Sequence, residues 1–341
     1  MRVLQIYKNF NASKGGVERH IDGLSNTISS NFKITYFYKI SDKDANFNVK
    51  YKTIKSKYFN FIKYVFDSDV IHIHGARFLF NLKFFFLAII LNKKIIYTPH
   101  CYYDGRGFLN DQIKKIWDLT IEKIFYKFSN KVVLLNNFWM EYAKLKNFNI
   151  KNTTIIPNCV IKNNHREIKS ETSERSIKNI ISISRIDKVK RIEDVIKVII
   201  KFKDKYVFHI VGEGPELKNL KKKYADQSNI KFYGFIKDNE LQKILEIIDA
   251  YIIASEKEGM PTTIIEMILS NIPVIASDIP GNIAILKDLN EKFIFKLGNY
   301  NELSKILEKG NFNIDYRLRE NVIKNYTWEN KVKEIEKIYE S

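Results

Sequence analysis

Two successive runs of alternating short strands and helices constrain the fold of this chain more than any other feature. The first run predicts strands at 3–7, 33–38, 70–74, 95–98 and 131–135, with helices at 16–29, 77–91 and 111–128. The second predicts strands at 179–184, 207–211, 230–233 and 250–254, with helices at 192–203, 215–224 and 239–247. This alternation is typical of parallel, doubly wound sheets.

The polar and charged stretch between the two runs marks a domain boundary. We therefore expect an α/β protein with Rossmann-like domains at 1–160 and 177–325, joined by a linker at 161–176. An amphipathic helix, capped by Thr327, is predicted within the last segment, 326–341. Ligands of such sheets bind at the carboxyl ends of the strands, so two facing domains predict one central cleft.

Hydropathy and cysteine content indicate a cytoplasmic location. The longest apolar stretch, 78–90, is interrupted by Asn81 and Lys83 and is shorter than the ~20 residues that a membrane span needs. The first ten residues predict a strand and a loop, not a signal peptide. Cys101 and Cys159 cannot form a disulfide framework and suit a reducing compartment.

The net charge of +18 is concentrated in the first half of the chain. Residues 1–160 contain 25 Lys+Arg and 11 Asp+Glu, a balance of +14, whereas residues 161–341 contain 32 and 28, a balance of +4. The first half therefore suggests an anionic partner, and the basic and aromatic stretch 51–59 fits a membrane surface. A Lys-rich composition is the simpler alternative, and no nucleic-acid-binding module is recognisable.

A predicted helix start near Pro261 provides a candidate anion site. Proline suits the first turn of a helix, and the unpaired N–H groups there favour a phosphate. These groups belong to Gly259, Met260, Thr262 and Thr263. Glu258 precedes the helix and Glu266 lies ~12 Å further along if the span is helical, which suits the two hydroxyl-rich ends of a nucleotide-sugar. The alternative is an ordinary helix with one capping and one surface acid.

Three further loops follow predicted strands. Gly15 and Gly16 could bring the backbone close to a diphosphate, although a tight turn would need the same residues. Arg185 and Lys190 could converge on a diphosphate, or belong to a solvated basic loop. Gly212 begins a G-x-G loop that lacks the third glycine of a dinucleotide fingerprint, so we expect a tight turn there.

Histidines provide the remaining candidates. His72 and His74 share one face of a strand, but no nearby cysteine or carboxylate set completes a metal site. His100 follows the strand at 95–98, where it could donate to a developing charge or a sugar hydroxyl. A purely structural histidine is the alternative.

Taken in order, these motifs resemble the family 4 glycosyltransferases, which have the GT-B architecture. The resemblance extends over nearly the whole chain. It is carried by Gly15-Gly16, the D-V-I-H-I-H-G strand at 69–75, I-I-P-N at 155–158, Arg185 with Lys190, V-G-E-G-P at 211–215, Glu258 with Glu266, and Tyr326-Thr327-Trp328. In that architecture the last helix crosses back to the first domain.

The resemblance implies retaining sugar transfer from a UDP- or GDP-linked donor to an acceptor hydroxyl, without a metal or other cofactor. It implies that Arg185 and Lys190 stabilise the leaving diphosphate, that Glu266 holds the ribose, and that Glu258 and His100 contact the sugar. Backbone groups at Gly15, Gly16, Gly212 and 259–262, which include Gly259, Met260, Pro261 and Thr262, line the donor site, with the base near Phe235 and Ile236. A hexosyl- or N-acetylhexosaminyl-transferase for lipid-linked or surface glycans (lipopolysaccharide, capsule or glycoprotein) on the inner face of the membrane is the expected function.

Four positions depart from the family pattern: Cys159, Arg191 and Asn271 replace glycines, and Ala284 replaces a glutamate. Two rival functions stay open, a sugar-nucleotide epimerase of the same fold and a catalytically silent subunit that docks on membranes. The base, sugar, acceptor and linkage are likewise open.

Overall fold

The computed structural model describes residues 1–10, 15–41, 50–57, 59–103, 108–165, 167–168, 176–286 and 290–341. The described chain divides into two compact units. Unit 1 comprises Met1–Ile161 and Asn325–Ser341, and unit 2 comprises Lys162–Lys324. Much of the predicted linker, together with Lys14 and Tyr58, lies outside the described residues.

Unit 1 alternates strands and helices from its first residues. Its elements are β1 Arg2–Ile6, β2 Asn9–Phe10, α1 Gly16–Thr27, β3 Lys33–Tyr38, β4 Ile40–Ser41, β5 Lys52–Lys55, α2 Asn60–Asp67, β6 Val70–His74, α3 Leu79–Ile90, β7 Lys94–Thr98, α4 Phe108–Trp117, α5 Lys123–Phe128, β8 Lys131–Leu134, α6 Asn137–Leu145 and β9 Thr153–Ile155. A π-helical turn, Asp118–Glu122, joins α4 to α5.

Unit 2 repeats the pattern, and the last helix of the chain belongs to unit 1. The elements of unit 2 are β10 Lys178–Ile183, α7 Ile192–Ile199, β11 Tyr206–Val211, α8 Leu217–Lys223, β12 Ile230–Gly234, α9 Asp238–Leu245, β13 Ala250–Ile253, α10 Thr262–Leu269, β14 Val274–Ser277, α11 Pro280–Leu286, β15 Ile294–Phe295, α12 Tyr300–Lys309 and α13 Tyr316–Asn325. The last helix, which belongs to unit 1, is α14 Trp328–Glu340.

Each unit contains one large parallel sheet. The seven strands of unit 1 run in the order β5-β3-β1-β6-β7-β8-β9, and the six of unit 2 in the order β12-β11-β10-β13-β14-β15. In unit 1, β1 pairs with both β3 and β6, so the strand order reverses direction beside the first strand. The predicted fold class, two doubly wound parallel sheets of the GT-B type, is confirmed.

The core of unit 1 joins the first and last parts of the chain. Apolar residues of β1, β3 and α1 pack with Trp328, Ile335 and Tyr339 of α14. Thr327 is the N-cap residue of this helix, and Val160 pairs with Thr327 in an isolated parallel bridge. Burial of one indole and one phenol ring in this core anchors the C-terminal helix to unit 1.

The core of unit 2 follows the expected two-sided burial of a parallel sheet. Strands β11 and β13 are apolar along most of their length, and α7 contributes Ile192, Val195, Ile196 and Ile199 to the same cluster. Helix α7 ends at Ile199 and continues as a 3₁₀ turn through Phe202, so the helix predicted at 192–203 is two kinds of helix.

The helix after Glu258 begins one residue later than the proline suggested. Pro261 is the N-cap of α10, with φ −74° and ψ 116°, and Thr262 is its first helical residue. The ψ of Pro261 is extended, so Gly259 and Met260 precede the helix. The following strand is Val274–Ser277, after Ile272 and Pro273 complete the turn.

Two of the departures from the family pattern occupy left-handed backbone conformations. Arg191 has φ 53° and Asn271 has φ 62°. Glycine adopts this region without steric cost, and asparagine tolerates it better than arginine does. A glycine in relatives at these two positions therefore has a backbone reason.

In the part of the chain that the structure describes, every helix is too short or too polar to span a membrane.

Candidate active site

The loop that carries Arg185 is held by backbone hydrogen bonds to the segment that follows the end of β11. It follows β10, and the Ser184 N–H donates to the Val211 carbonyl at 3.1 Å. The Ile186 N–H donates to Glu213 at 2.8 Å, and the Glu216 N–H donates to Ile186 at 3.1 Å. Between these bonds the Arg185 side chain is 71% exposed, with Nε 3.8 Å from the carboxylate of Asp187. A rigid loop thus presents a largely solvated guanidinium.

Gly212 makes this close pairing of loops possible. It has φ 131°, and a Cβ there would overlap the Ser184 carbonyl oxygen. Its own N–H donates to the Gly234 carbonyl at 2.8 Å, so it lies between the ends of β10 and β12. The V-G-E-G-P motif therefore shapes the Arg185 loop, and the prediction of a tight turn agrees with this geometry.

Lys190 and Glu258 form an ion pair. Lys190 Nζ lies 2.5 Å from Glu258 Oε1, and both side chains are mostly buried, at 21% and 13% exposure. The Glu256 N–H donates to the Val189 carbonyl at 2.8 Å, which fixes the two loops side by side. Arg191 forms a further ion pair with Glu256. Lys190 was predicted to bind the donor diphosphate and Glu258 the donor sugar, and the structure shows that these two side chains contact each other.

The segment before α10 packs tightly. Met260, Pro261 and Thr262 are buried, and Gly259 is half-buried. A Cβ at Gly281, in the first turn of α11, would overlap the Glu258 carbonyl oxygen, so this glycine lets α11 approach the loop. Close packing on this side gives Glu258 a fixed backbone.

Glu266 lies within α10 and is 8% exposed. Nearby, the hydroxyl groups of Tyr251 and Thr263 hydrogen-bond at 2.9 Å, and burial raises the pKa of Tyr251 above its ordinary value. Tyr251 is therefore a neutral packing and hydrogen-bonding residue beside the helix start.

Phe235 and Ile236, the predicted base site, follow β12. Phe235 is 43% exposed and Ile236 is half-buried. They come directly after Gly234, whose carbonyl accepts from Gly212. The predicted base site and the Arg185 loop thus follow strands β12 and β10 of one sheet, with β11 between them.

In unit 1 the paired glycines begin α1. Gly15 is the N-cap residue, with φ −129°, and its carbonyl accepts from the Arg19 N–H at 3.0 Å. A Cβ at Gly16 would meet no atom within 4 Å. Glu18, in the first turn, is buried. Packing with its neighbours accordingly does not require glycine at position 16.

His100 belongs to a buried network of histidines at the carboxyl end of the unit 1 sheet. His74 Nδ1 lies 3.1 Å from His100 Nε2, and His74 Nε2 lies 2.5 Å from Gln5 Oε1. His72 contacts the Tyr339 hydroxyl at 2.7 Å and the Thr98 hydroxyl at 2.8 Å. His72 and His74 are therefore hydrogen-bonded core residues.

The network sets the proton positions on His74 and His100. Gln5 donates its Nε2 hydrogen to Tyr339 at 2.8 Å, so its Oε1 accepts from His74 Nε2–H. The lone pair of His74 then lies on Nδ1 and accepts from His100 Nε2–H. His100 Nδ1 keeps a lone pair, is buried, and has no hydrogen-bond partner in the described part of the chain.

Burial keeps these rings neutral. The pKa values of His72, His74 and His100 are lowered well below the ordinary histidine value by desolvation, with additional lowering from neighbouring histidines. Burial lowers the pKa of His20, whose ring packs edge-on against His100, to about 4. His100 also has φ 63°, a strained conformation for a residue with a side chain.

Sequence reasoning missed the residues that orient the candidates. Gln5 and Tyr339 are more than three hundred positions apart and give no local signal. Glu256, which pairs with Arg191, was not among the residues that the sequence singled out. The histidine spacing itself was a usable signal, since His72 and His74 share a face and His100 follows the adjacent strand.

Within the described residues, no cluster of three or more His, Cys, Asp or Glu side chains could hold a metal ion.

Two parallel-sheet units with charged loops at their strand ends define a protein of the GT-B class. The glycosyl transferases group 1 family matches residues 163–338. This chain belongs to the glycosyl transferases group 1 family, and the predicted family relationship is confirmed.

Two other proteins have sequences similar to this chain. An uncharacterized glycosyltransferase of Methanocaldococcus jannaschii, MJ1069, is 25% identical over 382 residues, covering 96% of this chain and 95% of that protein. The O-antigen biosynthesis glycosyltransferase WbnH of Escherichia coli is 27% identical over 198 residues, covering 57% of this chain and 54% of that protein.

Among solved structures, Anabaena Alr3699/HepE in complex with UDP and glucose is similar throughout. The TM-score is 0.81 at 13% identity, with 100% of both chains covered. At this identity the likeness concerns the fold.

Proposed function

We propose that this protein is a retaining glycosyltransferase that moves a sugar from a nucleoside-diphosphate donor to a lipid-linked or surface-glycan acceptor. The observation that carries the proposal is the group of strand-end loops in unit 2, where Arg185 and the Lys190–Glu258 pair are fixed by backbone hydrogen bonds. Family membership and the O-antigen biosynthesis relative support the same class of reaction.

The donor is assigned to unit 2. Arg185, with its exposed guanidinium, and Lys190 neutralise charge on the leaving diphosphate. The N–H groups before and within the first turn of α10 add hydrogen bonds, and Glu266 accepts from the ribose hydroxyls. When Lys190 binds the diphosphate, its ion pair with Glu258 breaks, and Glu258 then accepts a hydrogen bond from a sugar hydroxyl. Phe235 and Ile236 contact the base.

The reaction exchanges one C–O bond for another on the same face of the sugar. The bond from C1 to the diphosphate oxygen breaks, the acceptor oxygen bonds to C1, and the acceptor proton passes to the leaving phosphate. His100, whose Nδ1 carries a lone pair, accepts a hydrogen bond from a sugar hydroxyl and orients the ring. No metal is required in this scheme, since two cationic side chains supply the charge.

The acceptor is assigned to unit 1, whose basic composition suits an anionic carrier at the inner face of the cell membrane. Capsule, lipopolysaccharide or glycoprotein glycan assembly supplies acceptors of this kind. A peripheral cytoplasmic enzyme is the corresponding location. Whether the sugar is a hexose or an N-acetylhexosamine, and whether the base is uracil or guanine, is decided by assay.

A thermal-shift screen of nucleoside diphosphates tests the donor assignment. A ligand at 100 times its dissociation constant stabilises a protein by ~2.7 kcal/mol, which raises the unfolding midpoint measurably. We expect UDP or GDP to give this shift in the intact chain and Lys190→Ala to abolish it. No shift with any nucleoside diphosphate would refute the donor site.

Turnover distinguishes the transferase from its rivals. With the binding nucleotide's sugar conjugates and extracted lipid-linked glycans, we expect a glycosylated lipid product with the anomeric configuration of the donor. Consumption of nucleotide-sugar without any acceptor would indicate an epimerase or hydrolase. If the protein binds the nucleotide-sugar but consumes none of it with any acceptor, it is a catalytically silent subunit.

Chelation tests the metal-free scheme. Turnover in excess EDTA is expected to equal turnover without it, since Arg185 and Lys190 provide the positive charge. Abolition by EDTA with recovery on Mg²⁺ or Mn²⁺ would show that the scheme is wrong.

A further inference from the structure

The helical segment 108–128 of unit 1 has its apolar face toward solvent. Leu109, Ile113, Ile116 and Leu119 follow a helical spacing of four, three and three residues, and they are 73%, 56%, 63% and 64% exposed. We call these four residues the outer stripe. Single exposed apolar side chains are common on proteins, but four along one helix face mark an interaction surface.

On the opposite side of the segment, the π-helical turn buries two acids, Asp118 and Glu122. Asp118 is 2% exposed and receives two hydrogen bonds from Arg77, from Nε at 2.8 Å and from Nη2 at 2.7 Å. Tyr142 donates to the same carboxylate at 3.1 Å, and Lys146 Nζ lies 3.6 Å from it.

Glu122, one turn further along, is fully buried and equally well satisfied. It accepts from Tyr97 and Tyr102 at 2.6 Å each and from Trp117 Nε1 at 3.0 Å. Burial raises the pKa of Glu122, and the three donors act against that rise.

At the π-helical turn these contacts invert the usual arrangement of a surface helix, in which the apolar side faces the core, whereas α5 buries Phe125 and Tyr126 in the usual way. Both acids belong to the π-helical turn, so the turn is fastened inward by charged and phenolic groups. With the polar side committed to the core, the outer stripe has a fixed outward direction.

The charge beside the stripe is positive. Lys115 and Lys127 are exposed, and Lys123 is half-buried. Lys114 is paired with Asp111 at 3.0 Å, and both of the other acids of the segment, Asp118 and Glu122, face inward. An exposed apolar stripe flanked by lysines has the chemistry of a helix that lies in the interface of an anionic bilayer.

The adjacent helix adds to this surface. Helix α3 packs against α5 through the stacked rings of Phe85 and Phe125, with centroids 3.9 Å apart. Its outer residues Leu79, Phe86 and Ile90 are also exposed. The apolar surface therefore continues beyond one helix.

We propose that the outer stripe inserts into the headgroup region of an anionic membrane and anchors unit 1 to it. The inference rests on the proposed function for its biological meaning, because a lipid-linked acceptor is reached from such a surface. It commits to phospholipid as the occupant, since the flanking lysines match an anionic headgroup layer and would repel a second copy of the same basic surface.

Vesicle co-sedimentation of the intact protein tests the surface. The variant I113S/I116S removes two stripe residues that are exposed, so it leaves the core unchanged. The matched control I177S/I247S replaces two exposed isoleucines of unit 2, at 46% and 41% exposure. Vesicles of phosphatidylcholine with 30 mol% phosphatidylglycerol (about that fraction suffices for a marked negative potential) and pure phosphatidylcholine are compared.

We expect I113S/I116S to weaken partitioning onto the anionic vesicles by at least about tenfold, because each buried CH₂ group contributes to binding. The control is expected to partition like the wild type. Wild-type binding is expected to fall on neutral vesicles and in 1 M salt, where the Debye length is ~3 Å. Loss of binding to the same extent in the control, or no loss in the stripe variant, would overturn the proposal.

Two additional measurements keep this test separate from the proposed function. The nucleoside-diphosphate thermal shift of I113S/I116S should equal that of the wild type, because the proposed diphosphate contacts of Arg185 and Lys190 lie in unit 2. If the shift is present but wild-type protein ignores anionic vesicles, the membrane surface is wrong while the donor site stands. If sedimentation velocity shows a dimer that I113S/I116S dissociates, the stripe binds a second copy and the proposal is overturned.

Discussion

The two units place chemistry and apolar surface in opposite locations. Unit 2 presents its charged candidates on loops after β10 and β13, with Arg185 solvated and Lys190 paired to Glu258. Unit 1 buries its candidate, His100, among other histidines and exposes apolar helix faces. In the described part of the chain, all but four of the exposed large hydrophobic side chains lie in unit 1.

This difference indicates a division of tasks between units of similar topology. A loop fixed by backbone hydrogen bonds can present the Arg185 guanidinium to solvent in one position, which suits a soluble, charged ligand. In unit 1 the histidines form a buried neutral network, while the apolar helix faces are the surface that we propose for lipid. The same strand–helix alternation thus supports two different surfaces, because the side chains on the strand ends and outer helix faces are independent of the core.

The largest expected effect tests the charged loops of unit 2. Lys190→Ala and Arg185→Ala should each lower kcat by ~10²–10³, the usual cost of losing one preorganised charge donor. Steady-state kinetics with saturating acceptor measure the effect, and Lys188→Ala on the same turn provides the control, since Lys188 is exposed. If all three variants turned over alike, the loops of unit 2 would be only a solvated basic surface.

Gly212→Ala tests whether backbone packing of the loops is essential. The new Cβ would overlap the Ser184 carbonyl at φ 131°, so we expect a loss of ~1–3 kcal/mol in the free energy of unfolding and a weaker nucleotide-induced thermal shift. Chemical denaturation measures it. Gly16→Ala in unit 1, where a Cβ has space, should change stability by well under half of that amount. Equal effects would remove this contrast between the units.

Lowering the pH should destabilise unit 1 before it destabilises unit 2. Burial lowers the folded-state pKa of His20, His72, His74 and His100, so the unfolded chain binds protons more readily below its histidine pKa of ~6.5. The stability of unit 1 is therefore complete above pH ~6.5 and falls as the pH drops towards the folded-state value, about 4 for His20. The cost is ~1.4 kcal/mol per histidine per pH unit.

Amide hydrogen exchange at pH 7 and 5.5, corrected for intrinsic rates, measures this loss strand by strand. We expect β1 and β6 to lose more protection than β10 and β11, where His209, with a pKa lowered to about 4 by burial, is the corresponding group. Equal losses in both sheets would mean that the histidine network does not set the acid limit.

The smallest expected effect concerns the backbone of Arg191. Arg191→Gly should be more stable than Arg191→Ala by ~1 kcal/mol, because both variants lose the ion pair with Glu256 while only glycine relieves the left-handed conformation. Thermal unfolding of the two variants side by side gives the difference. A more stable alanine variant would show that the family's glycine has no conformational basis here.

The sequence predicted both sheets and several boundaries to the residue, including β3 and β6, since apolar runs bounded by polar turns identify buried strands. It missed several elements, among them α2, α6, α12, α13, β5, β9 and β15. It could not foresee the π-helical turn inside the helix predicted at 111–128. That turn depends on Asp118 and Glu122 meeting Arg77, Tyr97 and Tyr102, which are distant in sequence.

The candidate site shows the same limit. Motif order located Arg185, Lys190, Glu258 and His100 because each follows a strand. It gave no indication that Lys190 and Glu258 pair, or that Gln5 sets the proton positions on His74 and His100. Roles in a site depend on partners that folding supplies, whereas positions in a site depend on local pattern.

The three backbone bonds that tie the Arg185 loop to the G-E-G loop have a consequence for how such a site diversifies. None of them uses a side chain, so the residues on these loops can be exchanged while the loop path stays the same, provided that the glycine contacts are kept. If these loops bind the donor as proposed, donor preference can change through single substitutions with little structural rearrangement. In laboratory selection for a new donor, variation is best directed at side chains next to this framework, and the glycines are best left unchanged.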